Sequence, residues 1–334
     1  FWYSAKRSFL SYILQPIASV IFFFGRRRFR NKEAYYGKTP IICIGNATVG
    51  GTGKTPTAIY VAKILLSSGC KVIFLTKGYG GTLEGPELLT EEHNFKDTGD
   101  EPQILKSYAP VIVSKDRVAG ANYADKLGYD VIIMDDGLQN HPSFYSDAKR
   151  SFGILIVDRQ RGFGNGALIP AGPLREPYQT AINKVQSIFL IGAPEHPIPQ
   201  PLQNCAKPVF FARKDTLKHG IDFSGERVIA FAAIGNPDQF FDMLEAAGCH
   251  ILHKEVFPDH HIFSDRIIKR LIDMAEKEGA ILVTTEKDMT RINPEFYPYL
   301  RPFLIEISLS DADAMSFEEK ILDFMNNQQA VTDK

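Results

Sequence analysis

The stretch Gly45-Asn46-Ala47-Thr48-Val49-Gly50-Gly51-Thr52-Gly53-Lys54-Thr55-Pro56 concentrates more usable chemistry than any other in the chain. Gly50, Gly51 and Gly53 let backbone N–H groups close around phosphate oxygens without interference from a Cβ. The apolar run before it, residues 40–44, reads as a strand, and residues 57–66 after it read as a helix. The N-terminus of that helix adds partial positive charge. Lys54 can reach β- and γ-phosphates, and the Thr55 hydroxyl can take a magnesium position. Thr48, Val49, Gly50, Gly51, Thr52, Gly53, Lys54 and Thr55 therefore form a candidate nucleoside-triphosphate loop.

The loop departs from both common patterns. G-x-x-x-x-G-K-[ST] wants a glycine where Thr48 stands. Gly50-Gly51-Thr52-Gly53-Lys54-Thr55 also resembles the variant loop of the MinD/ParA-type ATPases, but Val49 occupies the place of their signature lysine.

Acidic groups follow. Asp135-Asp136-Gly137 closes an apolar run, residues 130–134, about 80 positions after Lys54. In P-loop folds a strand ending in Asp supplies the second magnesium-side group. The alternative is a carboxylate that caps the next turn. Adjacent acids point in different directions, so either Asp135 or Asp136 can be the direct ligand. Asp100, in Thr98-Gly99-Asp100-Glu101-Pro102, stands at the expected start of a helix, where an acid also serves as a plain cap. Asp259-His260-His261 is poorly spaced for one metal and reads as a solvated loop, or as a histidine placed to orient a carboxylate for proton abstraction.

The elements that must position these groups alternate along the chain. Residues 71–76, 110–114, 130–134, 153–158 and 187–192 are continuous apolar runs, as in a parallel sheet covered on both faces. Helical patterns at 100–108 and 116–127 lie between them, which implies a doubly wound α/β domain. After a proline-rich stretch at 193–201 and a short strand at 208–213, a second α/β block begins near 227. Its helices are expected at 237–247, 264–278 and 316–325, with a strand at 280–285 and a frayed tail from 326. The expected division is 1–36, an apolar helix and basic segment; 37–215, the nucleotide-binding core; and 216–334, a smaller α/β domain.

The N-terminal segment is distinctive. Residues 8–24 carry no charge, and Arg26-Arg27-Arg28-Phe29-Arg30 follows almost at once. As a helix those residues span about 25 Å, short of a ~30 Å hydrocarbon core, and Gln15 and Pro16 interrupt them. Arginines stand where a secretory signal would need small residues. A helix lying in or dipping into a membrane leaflet is expected, its arginines on anionic headgroups; the alternative is a helix packed on the body of the protein. The 334 residues carry a formal net charge of −1, so the whole chain offers no electrostatic reason to bind nucleic acid. Residues 1–40, however, hold eight Lys or Arg against one acid. The four cysteines are scattered without metal spacing and read as free thiols in a reducing compartment.

Taken in order, several motifs closely resemble the tetraacyldisaccharide 4′-kinases of lipid A synthesis. They are Gly45-Asn46 with residues 49–56, Lys77-Gly78-Tyr79-Gly80-Gly81, Gly99-Asp100-Glu101-Pro102, Asp135-Asp136-Gly137-Leu138-Gln139, Pro173-Leu174-Arg175-Glu176-Pro177 and Phe257-Pro258-Asp259-His260. The resemblance covers about residues 5–320 and includes the missing glycine at 48. It implies a P-loop kinase that moves the γ-phosphoryl of ATP to the 4′-hydroxyl of an acylated disaccharide 1-phosphate, at the cytoplasmic face of the inner membrane. It further implies Asp100 as catalytic base with His260 as partner, and Lys54 on phosphates. Thr55, Asp135, Asp136 and Glu176 would serve magnesium, with Lys77 and Arg175 near phosphate or substrate. Lys77 replaces the family's usual arginine, keeping charge but not the bidentate fork. Asn140 stands where the family usually has histidine, with His141 next. No obligate protein partner is implied. Two other functions fit parts of the sequence: a membrane-associated MinD/ParA-like switch without an acceptor, and a soluble small-molecule kinase or ligase with a packed N-terminal helix.

Overall fold

The computed structural model describes residues 1–4, 7–30, 34–140, 142–145, 150–217 and 222–332. Lys6, Lys32, Glu33 and His141, and the side chains of Arg26, Arg27, Arg28 and Arg30, lie outside that description.

A first set of strands is β1 (Ile41–Asn46), β2 (Val72–Thr76), β3 (Glu87–Leu88), β4 (Val111–Val113), β5 (Val131–Met134), β6 (Ser151–Asp158), β7 (Ser187–Ile191) and β8 (Val209–Thr216). The helices among them are α1 (Phe9–Arg30), α2 (Lys54–Ser67), α3 (Phe95–Thr98), α4 (Asp100–Lys106), α5 (Arg117–Lys126), α6 (Tyr178–Lys184) and α7 (Gln200–Gln203). Then follow β9 (Arg227–Ala232), α8 (Pro237–Ala246), β10 (His250–Val256), α9 (Asp265–Glu278), β11 (Ile281–Thr285), α10 (Glu286–Met289), β12 (Leu300–Phe303), β13 (Ile305–Leu309) and α11 (Asp311–Thr332).

Among the described residues the large sheet has nine strands in the order β13-β8-β7-β6-β1-β5-β2-β4-β3. It is parallel except at its edges, where β3 runs against β4 and β13 against β8. β1 lies between β5 and β6, with Ile42 beside Ile133 and Phe152. Every residue of β1, β2, β4, β5 and β7 is buried, the mark of strands covered on both faces. One face is closed by α2, α4 and α11, the other by α5 and α6. From β1 the chain runs to β2 on one side and from its neighbour β6 to β7 on the other, so the crevice at the C-terminal ends of β1 and β6 is the topological switch point where α/β sheets bind ligands.

A second, all-parallel sheet, β10-β9-β11-β12, forms a smaller layer with α8 and α9. It ends at Phe303, so the expected third segment, 216–334, does not stay together. β13 returns to pair with β8, and α11 buries Phe317, Ile321, Phe324 and Met325 in the core of the first sheet. The expected frayed tail is helix to Thr332. The anchor is apolar area: this 22-residue helix is held by four large buried side chains, about 1.5–3 kcal/mol for each, and the last turns extend from them. Two strands, β8 outward and β13 back, join the units, and Leu217 N–H donates to the Leu304 carbonyl at 3.1 Å where they cross.

The N-terminal helix α1 is continuous through Pro16. Ser11, Leu14 and Ala18, at helical spacing, pack on Ala167, Leu168 and Ala171, and Ser11 Oγ donates to the Ala171 carbonyl at 2.7 Å. Away from that seam, residues 9–24 present a broad exposed apolar surface that includes Phe9, Ile13, Ile17, Ile21, Phe23 and Phe24. Among the described residues no helix is long and apolar enough to cross a membrane.

Candidate active site

The phosphate loop is set by its ends. β1 delivers Asn46, fully buried, whose Nδ2 donates to Thr52 Oγ1 at 2.9 Å. Gly53 caps α2 with φ 99°, and a Cβ there would lie 2.9 Å from Ile191. Only glycine meets both conditions. Lys54 Nζ donates to Asn46 Oδ1 at 3.4 Å and stands 3.9 Å from Asp136. The Thr55 hydroxyl donates to Asp135 Oδ2 at 3.3 Å.

Asp135 and Asp136 leave the end of β5 in different directions, and their environments push them apart. Asp135 is buried, and burial, only partly offset by Lys54, pushes its carboxyl up to about 6. Its Oδ1 is buried without a hydrogen-bond partner among the described residues. Asp136, at φ 52°, turns toward Arg175, which donates to both its oxygens at 3.0 and 2.9 Å. Burial raises its carboxyl, but Lys54 and Arg175 outweigh it and hold the group below the usual range. From α5 the buried Arg117 donates to the carbonyls of Leu75 and Asp135, both at 2.7 Å, tying the ends of β2 and β5 together.

The segment before α6 braces the loop. Val49 N–H donates to the Pro173 carbonyl at 2.9 Å and Arg175 N–H to the Ala47 carbonyl at 2.8 Å. Glu176, expected among magnesium ligands, has both oxygens taken: Gln139 Nε2 donates to one at 2.9 Å and Lys184 Nζ to the other at 2.6 Å. Each oxygen thus accepts once, and Glu176 braces these two neighbours. Asp136 likewise faces protein cations. Among the described residues no group of three or more His, Cys, Asp or Glu could hold a metal. The orphaned Asp135 Oδ1 beside Thr55 Oγ1 does fit magnesium, which takes few protein ligands and completes its shell with water and phosphate oxygens. Lys77 is exposed at the end of β2.

The other half of the site comes from two units. Gly99, with φ 82°, caps α4, and a Cβ on it would meet the Tyr79 carbonyl oxygen at 2.1 Å, so the glycine turn 78–81 sets the start of the helix. Asp100, 4% exposed, begins that helix. His260 Nδ1 lies 3.0 Å from Asp100 Oδ2. The histidine backbone has φ 60°, and its N–H donates to the Ala233 carbonyl at 3.1 Å. The loop before α9 is thus a shaped arm, and the expected pairing of Asp100 with His260 is present. His261 instead stacks on Phe257.

Sequence reasoning missed Arg291. It is buried just after α10, and its Nε and Nη2 donate to Asp100 Oδ1 and Oδ2 at 2.8 and 2.5 Å. Its Nη1 donates to the Ala233 carbonyl at 3.0 Å and to Asp288 Oδ1 at 3.1 Å. Asp288, fully buried, accepts in turn from Ala233 N–H and from the Thr285 hydroxyl. Burial raises the Asp100 carboxyl, but Arg291 and then His260 outweigh it and leave the acid below its ordinary value. The only local trace of this network is Thr285 three positions before Asp288, a cap signature at the end of an apolar strand. Beside it Lys287 pairs with Glu101 across the same boundary.

A family profile described as tetraacyldisaccharide-1-P 4′-kinase matches residues 10–326. The chain belongs to this family. It is 37% identical over 324 residues to the tetraacyldisaccharide 4′-kinase of Paramagnetospirillum magneticum, covering 97% of each chain. It is 39% identical over 298 residues to that of Allorhizobium ampelinum, covering 87% of this chain and 84% of the other. The fold is shared with the LpxK of Aquifex aeolicus, solved in complex with ATP, at a TM-score of 0.69 and 24% identity, over 94% of this chain and 97% of that one. The tetraacyldisaccharide 4′-kinase fold thus accounts for the nine-stranded sheet and its smaller companion.

Proposed function

We infer that the chain transfers the γ-phosphoryl group of ATP to the 4′-hydroxyl of a tetraacyldisaccharide 1-phosphate. The observation that carries this is the Asp100–His260 contact, made by residues 160 positions apart in a chain of this family. Three of the four lone-pair positions on the Asp100 carboxylate are used by Arg291 and His260, and one on Oδ1 is left to accept the hydroxyl proton. The 4′-oxygen then forms its bond to the γ-phosphorus as the bond to the β–γ bridging oxygen breaks and ADP leaves. Lys54 and the loop N–H groups compensate the charge on the phosphates. Magnesium, which Thr55 and Asp135 Oδ1 would hold, neutralises charge on the β- and γ-phosphates when bound. Arg175 keeps Asp136 fixed beside Lys54.

An acylated acceptor stays in a bilayer, so the enzyme goes to it. The apolar face of α1 enters the cytoplasmic leaflet of the inner membrane, and the basic segment after it meets anionic headgroups. The test is incubation of the full chain with ATP, magnesium and tetraacyldisaccharide 1-phosphate, with the product mass and position of the new phosphate determined. One phosphoryl group on the 4′-oxygen is expected. Slow ATP hydrolysis with the acceptor unchanged would reject the kinase and favour a nucleotide switch.

A further inference from the structure

The base end of the site contains a buried guanidinium that the chemistry above does not consume. Arg291 is 3% exposed and makes five hydrogen bonds, two to Asp100 of the first unit and three to groups of its own unit: the Ala233 carbonyl, Asp288 and, at 3.5 Å, His260 Nδ1. Its own-unit partners are themselves anchored. Asp288 is fixed by Thr285 and Ala233, and Ala233 also receives the His260 N–H through its carbonyl. Ala233, just past the end of β9, is therefore the common support of both groups that touch Asp100.

We propose that Arg291 is a positioning residue for phosphoryl transfer: it reaches from the smaller unit to fix both oxygens of Asp100, so that docking of the two units and completion of the proton-accepting pair are one event. This rests on the kinase activity inferred above. A planar fork suits the task, because two parallel N–H donors set the plane of a carboxylate as well as its place. The fork leaves open one lone pair on Oδ1, and the plane it sets decides where that lone pair points. Undocked, Asp100 would lose the fork and the histidine together, and the phosphate loop would face water without a competent base. That limits wasteful hydrolysis of ATP.

The groups that face Asp100 are Arg291 and Asp288 from the α10 segment and His260 from the arm before α9, with Asp259 acting on Arg291. On its own helix Glu101 is paired with Lys287. Taking away the guanidinium leaves Asp100 buried with Asp288 nearby, so its proton affinity rises. The acidic limb of kcat then moves to higher pH in Arg291→Met, and kcat at neutral pH falls by about 10–100-fold, the scale of a misplaced reacting group. The KM for ATP stays unchanged, since no phosphate-loop contact is altered. Arg291→Lys keeps the charge and loses the fork: its acidic limb stays low while kcat still falls.

The experiment is a pH series of kcat and KM on wild type, Arg291→Met and Arg291→Lys, together with carbon NMR titration of carboxyl-labelled Asp100, assigned with Asp100→Asn. Wild-type Asp100 is expected to titrate below the ordinary carboxylate range, and the Met variant above it. If both the kinetic limb and the carboxyl titration stay where they are in the Met variant, Arg291 is only structural and the proposal is overturned. Should the Met variant fail to fold, the Lys variant decides: unchanged kcat at every pH overturns the proposal. If the wild type makes no phosphorylated acceptor, the inferred activity fails, while the NMR titration still decides what Arg291 does to Asp100.

Discussion

The two halves of the site are built in different ways. The phosphate half is local: Asn46, Thr52, Lys54 and Thr55 lie within ten residues of one another, between one strand and one helix. The proton-accepting half is assembled from distant pieces, with Asp100 on α4, His260 on an arm before α9 and Arg291 after α10, 191 positions from the acid it holds. On the proposed reading a nucleotide is bound by the first half alone. In the proposed reaction transfer needs the second, which is complete only where the units dock. Binding and chemistry are therefore separable by mutation.

Outside the acid–histidine pair, the largest effect is expected in the local half. Lys54→Ala removes the charge that compensates the β- and γ-phosphates and lowers turnover by about 10²–10³-fold or more. Steady-state product formation measures this, and near-normal turnover in a folded variant would show that the loop is not the phosphate site. Next, Thr55→Ala and Asp135→Asn are expected to raise the magnesium concentration for half-maximal turnover by about 10–100-fold. A magnesium titration reads this directly, while Glu176→Gln, which disturbs only the Lys184 brace, should move that midpoint far less.

Away from the reaction, Phe23→Ser with Phe24→Ser should weaken partition to anionic vesicles by about tenfold per residue, since each phenylalanine is more than 60% exposed in the free chain. Vesicle co-sedimentation checks it, with turnover on a detergent-dispersed acceptor unchanged; equal partition would place α1 off the membrane. The smallest effect is on stability at the boundary between units. Glu286 is pushed up from 4.5 to about 7 by burial, with Lys63 only partly opposing. The folded chain binds that proton more tightly than the unfolded one, so stability falls as pH rises through this window. Glu286→Gln should remove the fall, making the variant more stable by about 1–3 kcal/mol at pH 8 and equal near pH 4. Denaturant unfolding at the two pH values tests it.

What the sequence could reveal follows the same division. Continuous apolar runs made the strands of the large sheet readable, because strands buried on both faces need no partner to be recognised. β10 was invisible: it is an edge strand with His250, His253, Lys254 and Glu255 in it, and most of it is not buried. β12 carries Arg301 and Pro302, which disguise it. β13 looked like part of the second block, because it is tied to its partner β8 by distant contacts such as the Ser308 hydroxyl donating to Asp215, 93 positions away. At the site, Lys54 and Thr55 are recognisable from spacing, whereas nothing near Arg291 marks it as buried against Asp100. Glu176 carries a ligand's chemistry, but Lys184 and Gln139, which occupy it, lie on other elements.

The most direct test of a site completed across two units is a double-mutant cycle on Asp100 and His260. Turnover of wild type, Asp100→Asn, His260→Ala and the double variant is measured at saturating ATP and magnesium. Each single change should lower turnover by about 10²–10⁴-fold, with nucleotide binding retained. The double variant should be little worse than the worse single one, because residues that act as one unit are not additive. Losses that simply multiply would show that the two units contribute independently, and an Asp100→Asn enzyme with ordinary turnover would remove the carboxylate from the reaction.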